Sequence, residues 1–371
     1  MSVDLAVFAA TSGHSGVDRV LGNLVPAIAR LGLRVDVLGI EGHGPVFDAP
    51  LPPGVRRVPL GAAHVNSALP ALIRYLRRSR PKALLSDKDR VNRAALMARA
   101  MARVPTRVGV RLGTTVSVNL ASRGWVERHV QTASMRWVYP WADAILVPSA
   151  GAADDLAVHA RLPRARIRVV PSPIVTPRMV VRSAEAPTHP WLSDDGPPVI
   201  LGVGELSERK DFATLVRAFA RLRATRPCRL LILGEGRRRG ELEGLAAELG
   251  VAVDVALPGF DPNPYPAMAR ASVFALASRW EGMPVVLIEA LALGTPCVAC
   301  DCPSGPREVL RGGEIGPLVP IGDDLALADA LARQLAAPMP REVSRAAVAG
   351  YTDEGSARAY LAALGFKEFA P

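Results

Sequence analysis

Two carboxylates, Glu281 and Glu289, punctuate the stretch Arg279–Ala290, in which almost every residue after Glu281 is apolar. A carboxylate inside Val285–Leu293 is costly to bury without a hydrogen-bonding partner. Pro284 suits the first turn of a helix, and Gly294 and Pro296 stop that helix. Such a helix start leaves the N–H groups of Gly282, Met283 and Val285 for an anion, with Glu281 just before them. The competing reading is a helix face turned to solvent. A second segment supplies the opposite charge. Gly202-Val203-Gly204 follows a strand-like run, and Arg209 and Lys210 precede the next helical run. Two cations before a helix suit a diphosphate, which needs positive charge and helix-end N–H groups together. Lys210 is one of only four lysines in the chain.

Other polar groups read more plainly. Gly234-Glu235-Gly236 is a tight turn after the next strand. Cys297, Cys300 and Cys302 fall in a buried strand and its exit, where cysteine acts as a small apolar residue rather than a zinc ligand, so no metal is expected. Asp87-Lys88-Asp89 has the form of a metal-binding D-x-D and is expected to be a surface turn. His14 is a lone loop histidine with no partner in the sequence.

These residues need a scaffold of alternating elements. Strands are expected near Asp4–Ala10, Arg34–Ile40, Val55–Leu60, Ala83–Ser86, Arg107–Leu112, Ala144–Pro148 and Ile167–Val170, with a helix over Val17–Leu31. Near-continuous apolar strands between helices indicate a parallel sheet covered on both faces. Residues 171–198 hold seven prolines and read as an interdomain linker that cannot sustain a helix. The alternation then restarts, with strands at Val199–Val203, Arg229–Leu233, Val253–Ala256, Val273–Ala277 and Cys297–Asp301. The fold class is α/β, with two Rossmann-like doubly wound domains facing an interdomain cleft. Ligands are expected at the carboxyl ends of the strands. The expected division is 1–178, 179–350 and a helical tail, 351–371, returning to the first domain.

Composition narrows the partners. Residues 1–178 carry a net charge of +14 and the remainder −4. That asymmetry points to an anionic partner for the first half. The densest basic run is Arg74–Lys82. An anionic bilayer or a diphosphate-linked lipid is the expected partner there, against a merely solvated face; no nucleic acid is expected, because no zinc-finger or RNA-binding motif occurs. The hydrophobic content of 49% excludes disorder. Four cysteines and no signal-like start imply a cytoplasmic protein, peripheral on the membrane at most.

The set of motifs resembles the retaining glycosyltransferases of the GT-B fold, notably glycosyltransferase family 4. Glu281 and Glu289 match that family's E-x7-E pattern. The resemblance extends over Gly202–Phe219, Gly234–Gly236, Pro258–Phe260, Ala277–Gly294, the run Gly294–Glu308 and Gly316–Pro320. Its Asp301-Cys302-Pro303-Ser304-Gly305-Pro306 segment looks like enzymes that build bacterial surface polysaccharides on lipid carriers. The resemblance implies transfer of a sugar from a nucleotide-diphosphate sugar, UDP-linked, to a glycan or a polyprenyl-diphosphate-linked acceptor, without metal or other cofactor. Glu289 would bind the ribose hydroxyls and Glu281 the donor sugar. Arg209 and Lys210 would neutralise the departing diphosphate. Gly204 and Gly16, at the first helix start, would let backbone approach the phosphates, and Gly259 would line the base pocket. Glu205 departs from the pattern, standing where many members have Arg. A sugar-nucleotide epimerase of the same architecture and a non-catalytic nucleotide-sugar binder are the alternatives. The epimerase lacks a cluster of acid/base histidines here, and the binder rests on Glu205 alone.

Overall fold

The computed structural model describes residues 3–11, 16–45, 47, 50–121, 124–193 and 195–369. The chain forms two compact units, Met1–Ile174 with Tyr351–Pro371, and Val175–Gly350. The division therefore falls after Ile174 rather than after residue 178. His14 and Ser15 lie outside the described residues.

The first unit runs β1 (Leu5–Ala9), α1 (Gly16–Arg30), β2 (Val35–Gly39), β3 (Val55–Pro59), α2 (Leu69–Ser79), β4 (Ala83–Asp87) and α3 (Asp89–Ala102). It continues through β5 (Arg107–Arg111), α4 (Val116–Ala121), α5 (Trp125–Val138), β6 (Ala144–Val147), α6 (Ala150–Ala160) and β7 (Ile167–Val169). These strands form one parallel sheet in the order β3-β2-β1-β4-β5-β6-β7. β1 and β4 are buried along their whole length because helices cover both faces.

The second unit begins with α7 (Pro177–Ser183), then β8 (Val199–Val203), α8 (Phe212–Arg223), β9 (Arg229–Leu233), α9 (Arg239–Glu248), β10 (Val255–Gly259) and α10 (Tyr265–Arg270). It closes with β11 (Val273–Leu276), α11 (Val285–Ala292), β12 (Cys297–Cys300), α12 (Pro306–Val309), β13 (Leu318–Val319), α13 (Asp324–Ala336) and α14 (Arg341–Ala347). Its sheet is also parallel, in the order β10-β9-β8-β11-β12-β13. Both sheets reverse their winding beside the first strand, between β1 and β4 and between β8 and β11. Chain leaving those strand ends borders the crevice in which doubly wound folds hold ligands.

The tail, α15 (Asp353–Leu364), belongs to the first unit. Its Tyr360, Leu361 and Leu364 join Leu5, Val7, Leu21, Leu24 and Ile28 in one core cluster. A Cβ on Gly109 of β5 would lie 2.3 Å from Leu364 Cδ2, so any larger residue there would have to push the leucine methyl aside.

Three expectations are corrected. The proline-rich stretch holds the helix α7, because Pro177 occupies its first turn, where no N–H is needed, and Thr176 Oγ1 caps it by accepting from the Met179 N–H at 3.1 Å. The strand expected at Val253–Ala256 begins only at Val255, because a 3-10 turn takes Ala252–Asp254. Asp87 is no surface residue. It ends β4 almost fully buried against Arg111, and only Lys88 is exposed. The apolar residues before it carry it into the sheet, where it needs a charged partner. Among the described residues no helix is long and apolar enough to cross a membrane.

Candidate active site

Two loops converge at the switch point of the second sheet. The first leaves β8 at Gly204 and ends at Asp211, the N-cap of α8. The second leaves β11 and enters α11. The Arg279 N–H donates to Arg209 C=O at 2.8 Å, and Arg279 Nη1 reaches Asp211 Oδ2 at 3.0 Å, so the loops are tied by backbone and by charge. Asp211 Oδ2 also accepts from Thr214 Oγ1 at 2.9 Å.

Glu281 lies at the centre. Lys210 Nζ donates to its Oε1 at 2.7 Å, Arg209 Nη1 to its Oε2 at 2.8 Å, and Ser278 Oγ to Oε1 at 2.8 Å. Burial would raise this carboxyl's pKa. The charges of Lys210 and Arg209, with the hydrogen bonds from Lys210 and Ser278, outweigh that and hold it below the usual carboxylate range. Glu281 and Lys210 are almost fully buried, whereas the Arg209 side chain keeps 34% of its exposure. Two cations share one anion, which leaves one positive charge in excess beside a partly open guanidinium.

Glycines shape this cluster by close approach. A Cβ on Gly204 would lie 2.8 Å from Lys210 Cε, so the lysine stem lies over the glycine. A Cβ on Gly234 would meet Gly204 O at 1.9 Å. The Gly204 N–H donates to Leu233 C=O and the Leu206 N–H to Glu235 C=O, locking the β8 and β9 exits together. Gly259 joins them at the end of β10, where its C=O accepts from the Gly234 N–H at 2.8 Å. The turn Gly234-Glu235-Gly236, which carried no weight in the sequence, is thus a packing part of the site.

The entry to α11 differs from expectation. Pro284, at φ −78° and ψ 83°, is the N-cap rather than a residue of the first turn. The Val285 N–H donates to Met283 C=O at 3.0 Å across an inverse γ-turn. It is therefore not left for an anion. Gly282 C=O accepts from Ser304 Oγ at 3.0 Å, and a Cβ on Gly305 would lie 2.5 Å from Pro284 Cδ. The Ser304-Gly305 turn thus buttresses the Gly282-Met283-Pro284 segment.

Glu289 is fully buried within α11, which rejects the solvent-facing alternative. Tyr265 Oη, on α10, donates to Glu289 Oε1 at 3.3 Å. Nothing in residue type or spacing marks Ser278, Ser304 or Tyr265 for these contacts. Glu205 is exposed on the β8 loop. Gly16 begins α1 in the first unit, and among the described residues nothing beyond its chain neighbours and its own helix backbone lies within 4 Å of where a Cβ would stand. Among the described residues no three His, Cys, Asp or Glu side chains converge as a metal site. Burial pushes the Cys300 and Cys302 thiols up to about 12.

Residues 187–349 match the family of glycosyl transferases group 1, and residues 15–173 match the glycosyl transferase 4-like domain. The chain belongs to the GT-B glycosyltransferases. A relative in Campylobacter jejuni, N-acetylgalactosamine-N,N'-diacetylbacillosaminyl-diphospho-undecaprenol 4-alpha-N-acetylgalactosaminyltransferase, is 35% identical over 247 residues. That alignment covers 67% of this chain and 65% of the relative. The lipopolysaccharide core biosynthesis glycosyltransferase LpsE of Rhizobium meliloti is 38% identical over 134 residues, covering 36% of this chain and 38% of LpsE. The chain thus spans less than two thirds of either relative. The apo lipopolysaccharide outer core galactosyltransferase WaaB superposes with a TM-score of 0.75 at 19% identity, over 98% of this chain and all of that one. Anabaena HepE in complex with UDP gives 0.77 at 15% identity, over 98% and 100%. At these identities the likeness is one of fold.

Proposed function

We propose that this GT-B protein is a retaining, family 4 enzyme that moves a sugar from a UDP-sugar to a glycan or polyprenyl-diphosphate-linked acceptor during surface-polysaccharide or glycoconjugate synthesis. One observation carries the reading. Glu281, Arg209 and Lys210 form a single cluster at the switch point of the second sheet, with a second buried carboxylate, Glu289, on the helix that follows. The names of the relatives support the context. The Campylobacter protein is named for a diphospho-undecaprenol acceptor and LpsE for lipopolysaccharide core synthesis.

In this reading the bond between the sugar's anomeric carbon and the diphosphate oxygen breaks. A bond from that carbon to an acceptor hydroxyl oxygen forms on the same face, and the acceptor proton passes to the departing diphosphate. Arg209 and Lys210 offset the negative charge that grows on that diphosphate, worth most where water is excluded. Their fixed pairing with Glu281 orients them before the donor arrives. Glu281 is held by three donors, so it serves to position sugar hydroxyls rather than to attack. Glu289 accepts from the ribose hydroxyls. Gly204, Gly259, Gly282, Met283 and Pro284 shape the walls. The transfer uses no metal, because side-chain cations do the neutralising. The basic first unit receives the acceptor, with Arg74–Lys82 against its anionic group at the cytoplasmic face of the membrane.

The test is incubation of the full chain with a panel of nucleotide sugars and a synthetic polyprenyl-diphosphate glycan. Mass spectrometry detects the added sugar and NMR reads the new linkage. One added sugar with the donor's anomeric configuration is expected, in the presence of chelator. An inverted linkage would refute retention. Donor binding without transfer to any acceptor would favour the non-catalytic alternative.

A further inference from the structure

Helix α5 buries one residue of its fourteen, Met135. Its outer side carries Val126, Val130, Ala133 and Trp137, spaced as one stripe along a helix. Val126 is 65% exposed, Val130 59% and Trp137 70%. Trp125, 71% exposed, extends the stripe at one end, and Trp141, 49% exposed, follows at the other. Three of the chain's five tryptophans thus face outward within one segment. Scattered exposed apolar residues are ordinary, but a contiguous stripe of this kind marks a docking surface.

Charge identifies the occupant. α3 packs against α2 on one flank and against α5 on the other. Met97 and Met101, one turn apart on α3, are exposed. Arg77 of α2 donates to Met101 C=O at 3.0 Å, and Arg99 of α3 donates to Trp141 C=O at 2.6 Å. Arg74, Arg77 and Arg78 on α2 and Arg128 and Arg136 on α5 are exposed around this apolar band. Arg136 sits 5.5 Å over the Trp137 ring. Pro70, Ile73, Arg74, Arg77 and Arg78 also line one open depression. Tryptophan with arginine at the edge of an apolar stripe is the composition of a helix lying in a lipid interface. Pairing two copies of this face would bring like charges together, whereas an anionic headgroup layer neutralises them.

We propose that α5 lies in the interface of an anionic bilayer, with Val126, Val130, Trp137 and Trp125 at acyl depth and the arginines of α2 and α5 at the phosphates. The inference extends the acceptor reading of Arg74–Lys82 and does not depend on the donor site.

The experiment measures co-sedimentation of the full chain with phosphatidylcholine vesicles, with and without 30 mol% phosphatidylglycerol. Brominated lipid then reports tryptophan depth by quenching. Wild type is expected to bind the anionic vesicles preferentially and to be quenched. The exposed-site variant Val126→Ser/Val130→Ser/Trp137→Ser should keep its melting temperature and lose about tenfold or more in partitioning, along with the quenching. Arg74→Glu/Arg78→Glu should reduce binding to anionic vesicles by roughly fivefold or more for each charge, and leave weak quenching in neutral vesicles. If only this second variant binds as wild type, the arginine contact fails while the stripe stands. A triple serine variant that partitions as wild type would overturn the proposal. So would a wild-type dimer, seen by light scattering, that the serine variant dissolves, since the stripe would then belong to a second copy. Wild type that binds neither vesicles nor itself would overturn it in favour of a protein partner.

Discussion

Each sheet holds buried charge beside its switch point, and the two clusters are built differently. In the first unit Asp87 ends β4 and Arg111 ends β5, and the pair is almost fully buried. Arg111 Nε also donates to Tyr360 Oη of α15 at 2.8 Å. Burial opposes the arginine's charge, but Asp87 and Tyr360 more than compensate, so it stays cationic. Burial pushes the Tyr360 hydroxyl up, against the pull of Arg111, so it remains a neutral phenol. One cation meets one anion, and a tail residue caps them. In the second unit two cations meet Glu281, and Arg209 remains partly open. A balanced, capped pair is spent on holding the fold. An unbalanced, open one has charge left for a ligand.

The comparison breaks most readily at Arg111. Arg111→Met leaves Asp87 buried without its counter-charge and should cost about 3–5 kcal/mol, read by urea denaturation. Adding Asp87→Leu should recover most of that loss, because a packed apolar pair replaces a buried ion pair at little cost. A double variant as unstable as the single one would show that the pair does more than hold the tail.

Lys210→Ala should act in the opposite way. Turnover should fall by about 10²–10³-fold, the scale for losing one preorganised charge-stabilising group. Stability should fall less than in the Arg111 variant, because Arg209 and Ser278 still hold Glu281. Equal destabilisation by both substitutions would erase the distinction between the clusters.

The pH dependence of folding sharpens it further. Glu281 sits below its ordinary pKa of 4.5 in the native state, so it binds its proton less readily there than in the unfolded chain. Its contribution to stability is complete above the ordinary value and is lost as pH falls through the native one. Melting curves from pH 7 to pH 3 should therefore be flatter on the acid side for Glu281→Gln than for wild type. An unchanged acid limb would mean that the cations do not hold this carboxyl down.

The smallest effect is expected at Glu205. Its side chain is exposed, so Glu205→Arg should tighten donor binding by about fivefold at most, as surface charges do. Calorimetric titration with UDP would read the change. A much larger gain would mean that Glu205 had been repelling the diphosphate at close range.

The parallel strands of both units follow patterns visible in residue type. Leu5–Ala9 and Leu230–Leu233 are apolar runs with one structural solution, a strand covered on both faces. Glu289 was legible because a carboxylate in an apolar helix must have a purpose. What sequence could not supply was pairing at a distance. Asp87 resembles a surface residue until the Arg111 guanidinium and the Tyr360 hydroxyl arrive from β5 and α15. The Gly234 turn looks ordinary until its backbone meets Gly204. Proline counts misled at α7, because position within a helix decides whether proline breaks it. The stripe on α5 is hard to read from sequence because its buried side is a single methionine and its periodicity points outward.

The central claim is that the second unit holds a nucleotide sugar between the Glu281 cluster and Glu289. It is tested most directly by the melting temperature of wild type and Glu289→Gln across a UDP titration. A ligand at about one hundred times its Kd stabilises the native state by about 2.7 kcal/mol. The account predicts a saturating rise for wild type and at least about tenfold weaker apparent affinity for the variant, which keeps an acceptor for Tyr265 but loses the carboxylate. An identical rise in both proteins would remove Glu289 from the site, and no rise with UDP or any UDP-sugar would contradict the donor assignment itself.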